Sequence, residues 1–260
     1  NDKSMAYNEG RVSKGSVLAL LSDVYLNMAG APINDKSKYA EAAKYAEMVM
    51  DNSAYALIQN KDKGENSAYN IIRTSDKETE YLYYYEFLST IANAGWYPTY
   101  AFPATFVADY PDAVAYSITC AVYNPNSKLL KIYDEADDLR IQEKQFFFTT
   151  WNGLPLLKPK AGQAPSTKKF PYFFLEEEAL TTGLAGKSRT IYRSALMYLT
   201  FAEADVVSKN QVTPKAIDAL ATIQARASMS KTKEQIAASL GTLSVNEFVE
   251  EVWSERIREF

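Results

Sequence analysis

The chain has no histidine and a single cysteine, Cys120. The missing histidines exclude a Ser-His-Asp or Cys-His nucleophilic site and every His-ligated zinc site. One cysteine forms no internal disulfide, so cysteine usage does not identify the compartment. No run reaches the roughly 18 apolar residues that a membrane-spanning helix needs. Basic charge is also sparse, with 28 Lys and Arg against 32 Asp and Glu and a net charge of −4. No basic run is longer than the pairs Lys168-Lys169 and Arg256-x-Arg258, too little for a nucleic-acid face. The longest acidic run, Glu176-Glu177-Glu178, reads as a solvated helix start rather than a metal site.

What is present is tyrosine, with 19 copies against 10 glycines. A tyrosine ring has an apolar face and a hydrogen-bonding tip, which suits half-buried surfaces and ligand contacts. With 47% hydrophobic and 23% charged residues the composition is that of a globular chain, long enough for one large domain or two small ones. The chain begins at Asn1 without a signal peptide and ends at Phe260 inside the helical pattern FVEEVWSERIREF. It reads as part of a longer protein, cut at both ends.

Residues 14–28 place Leu18, Leu21, Tyr25 and Met28 at spacings of three and four, which predicts an amphipathic helix. Gly30 and Pro32 break it. A second helix, KYAEAAKYAEMVMD, repeats Ala42, Ala43 and Ala46, small residues that let a neighbouring helix approach closely. Together they fit the tetratricopeptide pattern, with Leu18-x2-Leu21-Ser22-x2-Tyr25 and Ala42-x3-Ala46-x2-Val49. A second pair is expected at 190–228. It has Leu196-x2-Leu199 with Ala202 and Ala204, then Ala216-x3-Leu220-x2-Ile223 after Pro214, a residue suited to a first helical turn. A last helix begins at Ser244, which forms a capping box with Glu247.

The order of elements predicts a mainly α fold: a tetratricopeptide-like pair at 10–59, an irregular, loop-rich and aromatic subdomain at 60–185, and tetratricopeptide-like helices at 190–260. Within the irregular segment, AVAYSITCAVYNPNSKLLKIYD suggests a short hairpin around Asn124-Pro125-Asn126-Ser127. So long an irregular stretch in a globular chain usually carries function.

Several segments resemble the SusD/RagB family of outer-membrane nutrient-binding lipoproteins. They are GRVSKGSVLALLSDVYL, YAEAAKYAEMVMD, DEADDLRIQEKQFFFTTW, YRSALMYLTFAEA, AIDALATIQARA and WSERIREF, in the family's order. YRSALMYLTFAEA, the helix with Arg226-Ala227 and the ER-x-RE series that follows are the most specific of these. The sequence departs from the family at Thr222-Ile223-Gln224-Ala225-Arg226-Ala227, where the usual Asn is replaced. The signal peptide, the lipid-attachment cysteine and the segment that follows ERIREF do not occur in it, and Cys120 does not match the anchor position.

The resemblance implies one SusD-like domain over 1–260: an α-α superhelix of tetratricopeptide-like pairs with a loop-rich subdomain laid against it. It implies a non-catalytic protein on the outer face of the outer membrane of Bacteroidetes. Such a protein captures glycans, or in some members peptides, and caps a SusC-type TonB-dependent transporter. No nucleic-acid partner and no cofactor is expected, apart from a structural calcium. The membrane would be reached only through an N-terminal lipid anchor lying outside this chain.

NAGWYPTYAFPATF, residues 93–106, supplies the first candidate site. Trp96, Tyr97 and Tyr100 form the expected platform for sugar C–H faces, and Asn93 is a hydrogen-bonding neighbour. Burying such a face contributes on the order of 25 cal/mol per Å². The competing reading is that Phe102 and Phe106 anchor the loop to a core and carry the other rings with them. Trp151, beside Asn152 in TTWNGLP, either extends the platform or closes the subdomain core. Trp253 on the last helix reads as core or interface, and the tyrosines of YLYYYEF (81–87) as packing between layers.

Asp134, Glu135, Asp137 and Asp138 could serve a carboxylate glycosidase or hold calcium. Neighbouring positions point apart, however, and the resemblance makes DDLR structural, with Arg140 paired to an acid. Glu255-Arg256-x-Arg258-Glu259 reads as a helix surface with (i, i+3) pairs worth tenths of a kcal/mol. Glycan capture is therefore the expected function. A peptide- or protein-binding tetratricopeptide scaffold is the alternative, and a carboxylate glycoside hydrolase follows behind it.

Overall fold

In the computed structural model, which describes residues 2–90, 94–95, 100–116 and 123–260, a capping box between Ser13 and Ser16 opens the first long helix. The helices in chain order are α1 Lys14–Ala29, α2 Lys38–Met50, α3 Ala68–Thr74, α4 Ala104–Asp109, α5 Ser127–Leu130, α6 Ala179–Thr182, α7 Ser194–Lys209, α8 Pro214–Ala227, α9 Lys233–Leu240 and α10 Val245–Glu259. The strands are β1 Tyr81–Tyr85, β2 Phe147–Phe148, β3 Thr150–Trp151, β4 Leu154–Pro155, β5 Phe170–Pro171 and β6 Arg189–Arg193. No described helix is long and apolar enough to cross a membrane. The chain divides into two units, the first made of Asn1–Gln59, Lys77–Tyr85 and Thr190–Phe260, the second of Asn60–Asp76 and Glu86–Arg189.

The first unit is a mainly α, tetratricopeptide-like stack in which α1 packs on α2, α2 on α7, α7 on α8 and α10, and α8 on α9. Small side chains set the close approach. Ala19, Ala29, Ala42 and Ala46 have no exposed surface, and Ser22 Oγ donates to the Ala42 carbonyl at 2.9 Å. The buried face of α1 is Leu18, Ala19, Ser22, Leu26 and Ala29. It is therefore rotated from the stripe read in sequence, because small residues, not only large ones, define the contact. Leu21, Tyr25 and Met28 are half-buried, and Tyr25 stacks on Tyr45 at 5.6 Å.

The second pair differs from expectation at its start. Residues 189–193 form β6, paired with β1, and the helix begins only at Ser194, whose backbone N–H donates to the Glu80 carbonyl at 2.9 Å. Thr190, Ile191 and Tyr192, β-branched and aromatic, favour the strand. Pro214 starts α8 behind a Thr213 cap, and Ser244 with Glu247 closes the capping box that opens α10. The short α9, with its own Thr232–Gln235 capping box, was not anticipated.

The ER-x-RE series is not a helix surface. Glu259 and Glu255 are each 1% exposed. Glu259 joins a buried four-charge cluster in which Arg193 bonds Glu80 at 2.7 Å and Glu259 at 3.0 Å. Arg226 bonds both carboxylates at 2.7 Å. Arg256 pairs with Glu203, and Arg258 with Glu255 and Glu251. Removing one member of a pair shut away from water costs about 3–5 kcal/mol, against the tenths of a kcal/mol of exposed (i, i+3) pairs.

The second unit has short elements and an aromatic core. Phe102 stacks on Phe106 at 5.2 Å and meets Phe148 and Trp151 edge-on, each at 5.6 Å. Such pairs are worth about 0.5–1.5 kcal/mol beyond their buried area. β2 pairs antiparallel with β5, and β3 with β4 across Asn152-Gly153. Both turn residues have positive φ, +48° and +78°, as a two-residue hairpin of this type requires. The hairpin expected around residues 124–127 is not formed as a strand pair on its C-terminal side. There Asn126 Oδ1 accepts from Lys128 N at 2.8 Å and caps α5, while residues 117–122, including Cys120, lie outside the described residues.

Candidate functional site

A cavity of about 630 Å³ opens in the second unit, within the roughly 300–1,000 Å³ typical of small-ligand sites. Four chain segments line it: the end of α3 with the residues after it (Arg73, Thr74, Asp76), the stretch after β1 (Phe87–Ser89), the turn before α6 (Leu175–Glu178), and Gly186–Lys187. At Gly186 a side chain would lie 2.4 Å from Ser89 Oγ, so a residue without Cβ lets these two segments close on each other.

The cations of the pocket are already engaged. Arg73 Nη1 donates to the Leu175 carbonyl at 2.7 Å and its Nε to Asn70 Oδ1 at 3.2 Å, while its guanidinium lies 4.3 Å over the Tyr172 ring. Lys187 Nζ bonds Asp76 Oδ1 at 3.1 Å. Burial pulls the Lys187 ammonium below its ordinary pKa, and Asp76 opposes that shift. Asp76 Oδ1 also accepts from Ser188 N at 2.9 Å, which holds the 187–188 backbone against α3's exit.

The acidic run divides. Glu176 turns inward, accepting from Lys187 N at 3.0 Å with Arg189 at 3.6 Å, and burial raises its pKa. Glu177 and Glu178 are exposed ahead of α6, the solvated helix start that the sequence indicates. The pocket thus offers carboxylates, a serine hydroxyl, and an apolar wall from Phe87 and Leu88. It has no histidine to activate a nucleophile.

Of the residues named from sequence, Asn93, Trp96 and Tyr97 lie outside the described residues. Gly95 forms a two-bond bridge with Ala185, at 2.8 and 3.2 Å, close in sequence to Gly186 and Lys187 of the pocket lining. Tyr100 is half-buried with its ring edge-on to Tyr123 at 5.9 Å, and Tyr123 meets Phe174 at 5.4 Å. Phe102 and Phe106 have no exposed surface and anchor the loop to the core.

Trp151 is 7% exposed and sits in that same core, with Phe102 and Phe148 against its ring, so it closes the subdomain core. Asn152 is exposed at the tip of the β3–β4 turn, where its positive φ is the local requirement. The Asn-Gly pair was the available signal for this hairpin. Trp253 is 51% exposed on α10, outside any core.

Among the acids, Asp138 forms a buried bidentate pair with Arg140, at 2.9 and 2.8 Å, and caps the turn Leu139–Ile141. Asp134 caps Ala136 N at 3.0 Å. Among the described residues no group of three or more acids or cysteines is arranged to hold a metal ion. Arg73, Asp76, Ser89 and Lys187 were not singled out from sequence, because nothing local marks residues that meet only through the fold.

Residues 163–260 match the SusD family model. Over 96% of the chain the fold is that of a SusD superfamily protein from Parabacteroides distasonis (27% identity, TM-score 0.75, 50% of that chain). Similar folds are surface glycan-binding protein A from Bacteroides uniformis (18% identity, TM-score 0.68, 96% of this chain and 47% of that one) and surface glycan-binding protein A from Bacteroides thetaiotaomicron in complex with laminarihexaose (15%, 0.62, 96% and 55%). The chain spans about half the length of these solved relatives. No curated protein matches it.

Proposed function

We propose that this chain is part of a non-catalytic cell-surface protein that binds an oligo- or polysaccharide and passes it to a SusC-type TonB-dependent transporter in the outer membrane. The observation that carries the proposal is the family match of residues 163–260. The relative solved with laminarihexaose supports a glycan as the ligand class. The ligand site comprises the second-unit pocket, and Trp96, Tyr97 and Tyr100 are assigned to it as stacking rings on the strength of their sequence. A few ring faces and hydroxyl contacts give micromolar to millimolar binding, about −8 to −4 kcal/mol, which suits capture followed by release.

Native affinity electrophoresis against plant, host and microbial polysaccharides tests this, with Trp96→Ala run beside the wild-type chain. Retardation by one glycan, lost in the variant and without sugar release, is expected. Sugar release would overturn the non-catalytic assignment, and no retardation on any glycan would overturn glycan binding. The alternative, a peptide- or protein-binding tetratricopeptide scaffold, is favoured by one observation: Val17, Leu20 and Val24 expose an apolar stripe along α1, each between 45% and 51% exposed.

A further inference from the structure

The charges around the second-unit pocket bear on which glycans it admits. Four carboxylates line it, Asp76 and Glu176–Glu178, against two cations, Arg73 and Lys187. Both cations are spent on protein partners: Lys187 on Asp76, and Arg73 on the Leu175 carbonyl, Asn70 and the Tyr172 ring. Lys187 leaves no free ammonium for a ligand carboxylate or sulfate, and Arg73 keeps only its Nη2 edge, so the four carboxylates outnumber the two cations of the lining. Glu177 and Glu178 are exposed, and neither has a salt bridge among the described residues. An unpaired carboxylate facing an anionic ligand is a repulsive element, and repulsion of that kind discriminates as effectively as attraction.

The same lining suits an uncharged polyol. Phe87 and Leu88, the latter 56% exposed, present apolar surface, while Ser89 and the carboxylates offer acceptors to hydroxyl or ammonium hydrogens. We infer that the pocket selects neutral or amine-bearing glycans and rejects those carrying uronate or sulfate groups. This inference rests on the glycan-binding function proposed above and assigns its charge specificity to this pocket.

The test compares the full chain with two variants, Ser89→Trp, which fills the pocket from an exposed position, and Glu177→Lys/Glu178→Lys, which reverses the exposed charge. Calorimetric titration at low ionic strength uses laminarin and chitosan oligosaccharides as neutral and amine-bearing probes, with polygalacturonate and a sulfated glycan as anionic ones. The wild-type chain is expected to bind a neutral or amine-bearing probe and not the anionic ones. The double lysine variant is expected to gain roughly tenfold or more toward polygalacturonate, a gain that shrinks in salt because exposed charges are screened within about 10 Å.

Ser89→Trp should abolish binding in protein that circular dichroism shows to be folded, and the Glu177→Lys/Glu178→Lys variant reads the same pocket without touching the tight Ser89–Gly186 approach. A bound neutral glycan indifferent to Ser89→Trp would overturn the inference and leave glycan binding standing. Equal wild-type affinity for polygalacturonate would also overturn it. No binding of any probe would overturn both the inference and the function beneath it.

Discussion

Arg226 Nη1 lies 2.7 Å from Glu80 Oε2, a contact that joins the end of α8 to a residue 146 positions earlier in the chain. Its Nη2 lies 2.7 Å from Glu259 Oε1, and Arg193 touches the same two acids. The cluster balances two cations against two anions with almost no exposure. It therefore ties the residue preceding β1 to β6, α8 and the last turn of α10 at one point of the first unit. Removing one partner leaves a buried charge without its counterion, and that outweighs the loss of any single bond.

Arg226→Met is accordingly expected to destabilise the first unit by about 3–5 kcal/mol. Arg226→Lys should recover only part of this, because an ammonium cannot serve two carboxylates with a planar fork. Urea unfolding of both variants, with Glu259→Gln and the double variant closing a cycle, measures the coupling. Additive effects would show that Arg226 and Glu259 act independently.

Gly15 sets helix propensity against sterics. Alanine is the better helix former by about 1 kcal/mol, but a Cβ at Gly15 would lie 2.7 Å from the buried Tyr55 ring, itself 1% exposed. The clash wins, and Gly15→Ala should cost about 1–3 kcal/mol. In a Tyr55→Ala background the sign should reverse, since the ring is gone and only the propensity gain remains.

On α1, Leu18 is 6% exposed and Leu20 is 51% exposed. Leu18→Ala is expected to lose about 2–5 kcal/mol, and Leu20→Ala to stay within about 0.5 kcal/mol of wild type. Thermal midpoints of the two variants, measured in this 260-residue chain, separate the packed face from the solvent face.

Tyr192 donates to Asp23 Oδ2 at 2.8 Å, and burial followed by this carboxylate pushes its phenol up to about 12. The folded value lies above the unfolded one of about 10. The unfolded chain therefore ionises first as pH rises, and stability present below about pH 10 is lost between about 10 and 12. Denaturant midpoints across that window should fall less steeply in Tyr192→Phe than in wild type.

Trp151→Phe should lower the unfolding midpoint of the second unit, because a smaller ring leaves a void beside Phe102 and Phe148. Glycan retardation at temperatures below that midpoint should be unchanged. Loss of binding in a folded Trp151→Phe protein would return this ring to the ligand site.

The long helices were legible in sequence because their signals are local. Alanines repeat at helical spacing in α2, Thr213-Pro214 opens α8, and Ser244 with Glu247 opens α10. Each depends on residues within one or two turns of each other. The strand at 189–193 was missed for the complementary reason, since its partner β1 lies over a hundred positions away in the chain. The ER-x-RE series shows the limit most clearly. Its residues were recognisable as a pattern, yet as an isolated helix they describe a solvated surface.

By itself, then, the sequence determined the helical class, the aromatic second unit, the absence of histidine chemistry and the likeness to the SusD family. Only the tertiary structure decided that Glu259 and Arg226 are buried together, that Trp151 is core, and that Arg73, Asp76 and Lys187 share a pocket. Helix periodicity and caps are encoded over a few residues by backbone geometry and side-chain reach. Burial and charge pairing depend on which distant segments meet, and no local pattern carries that information.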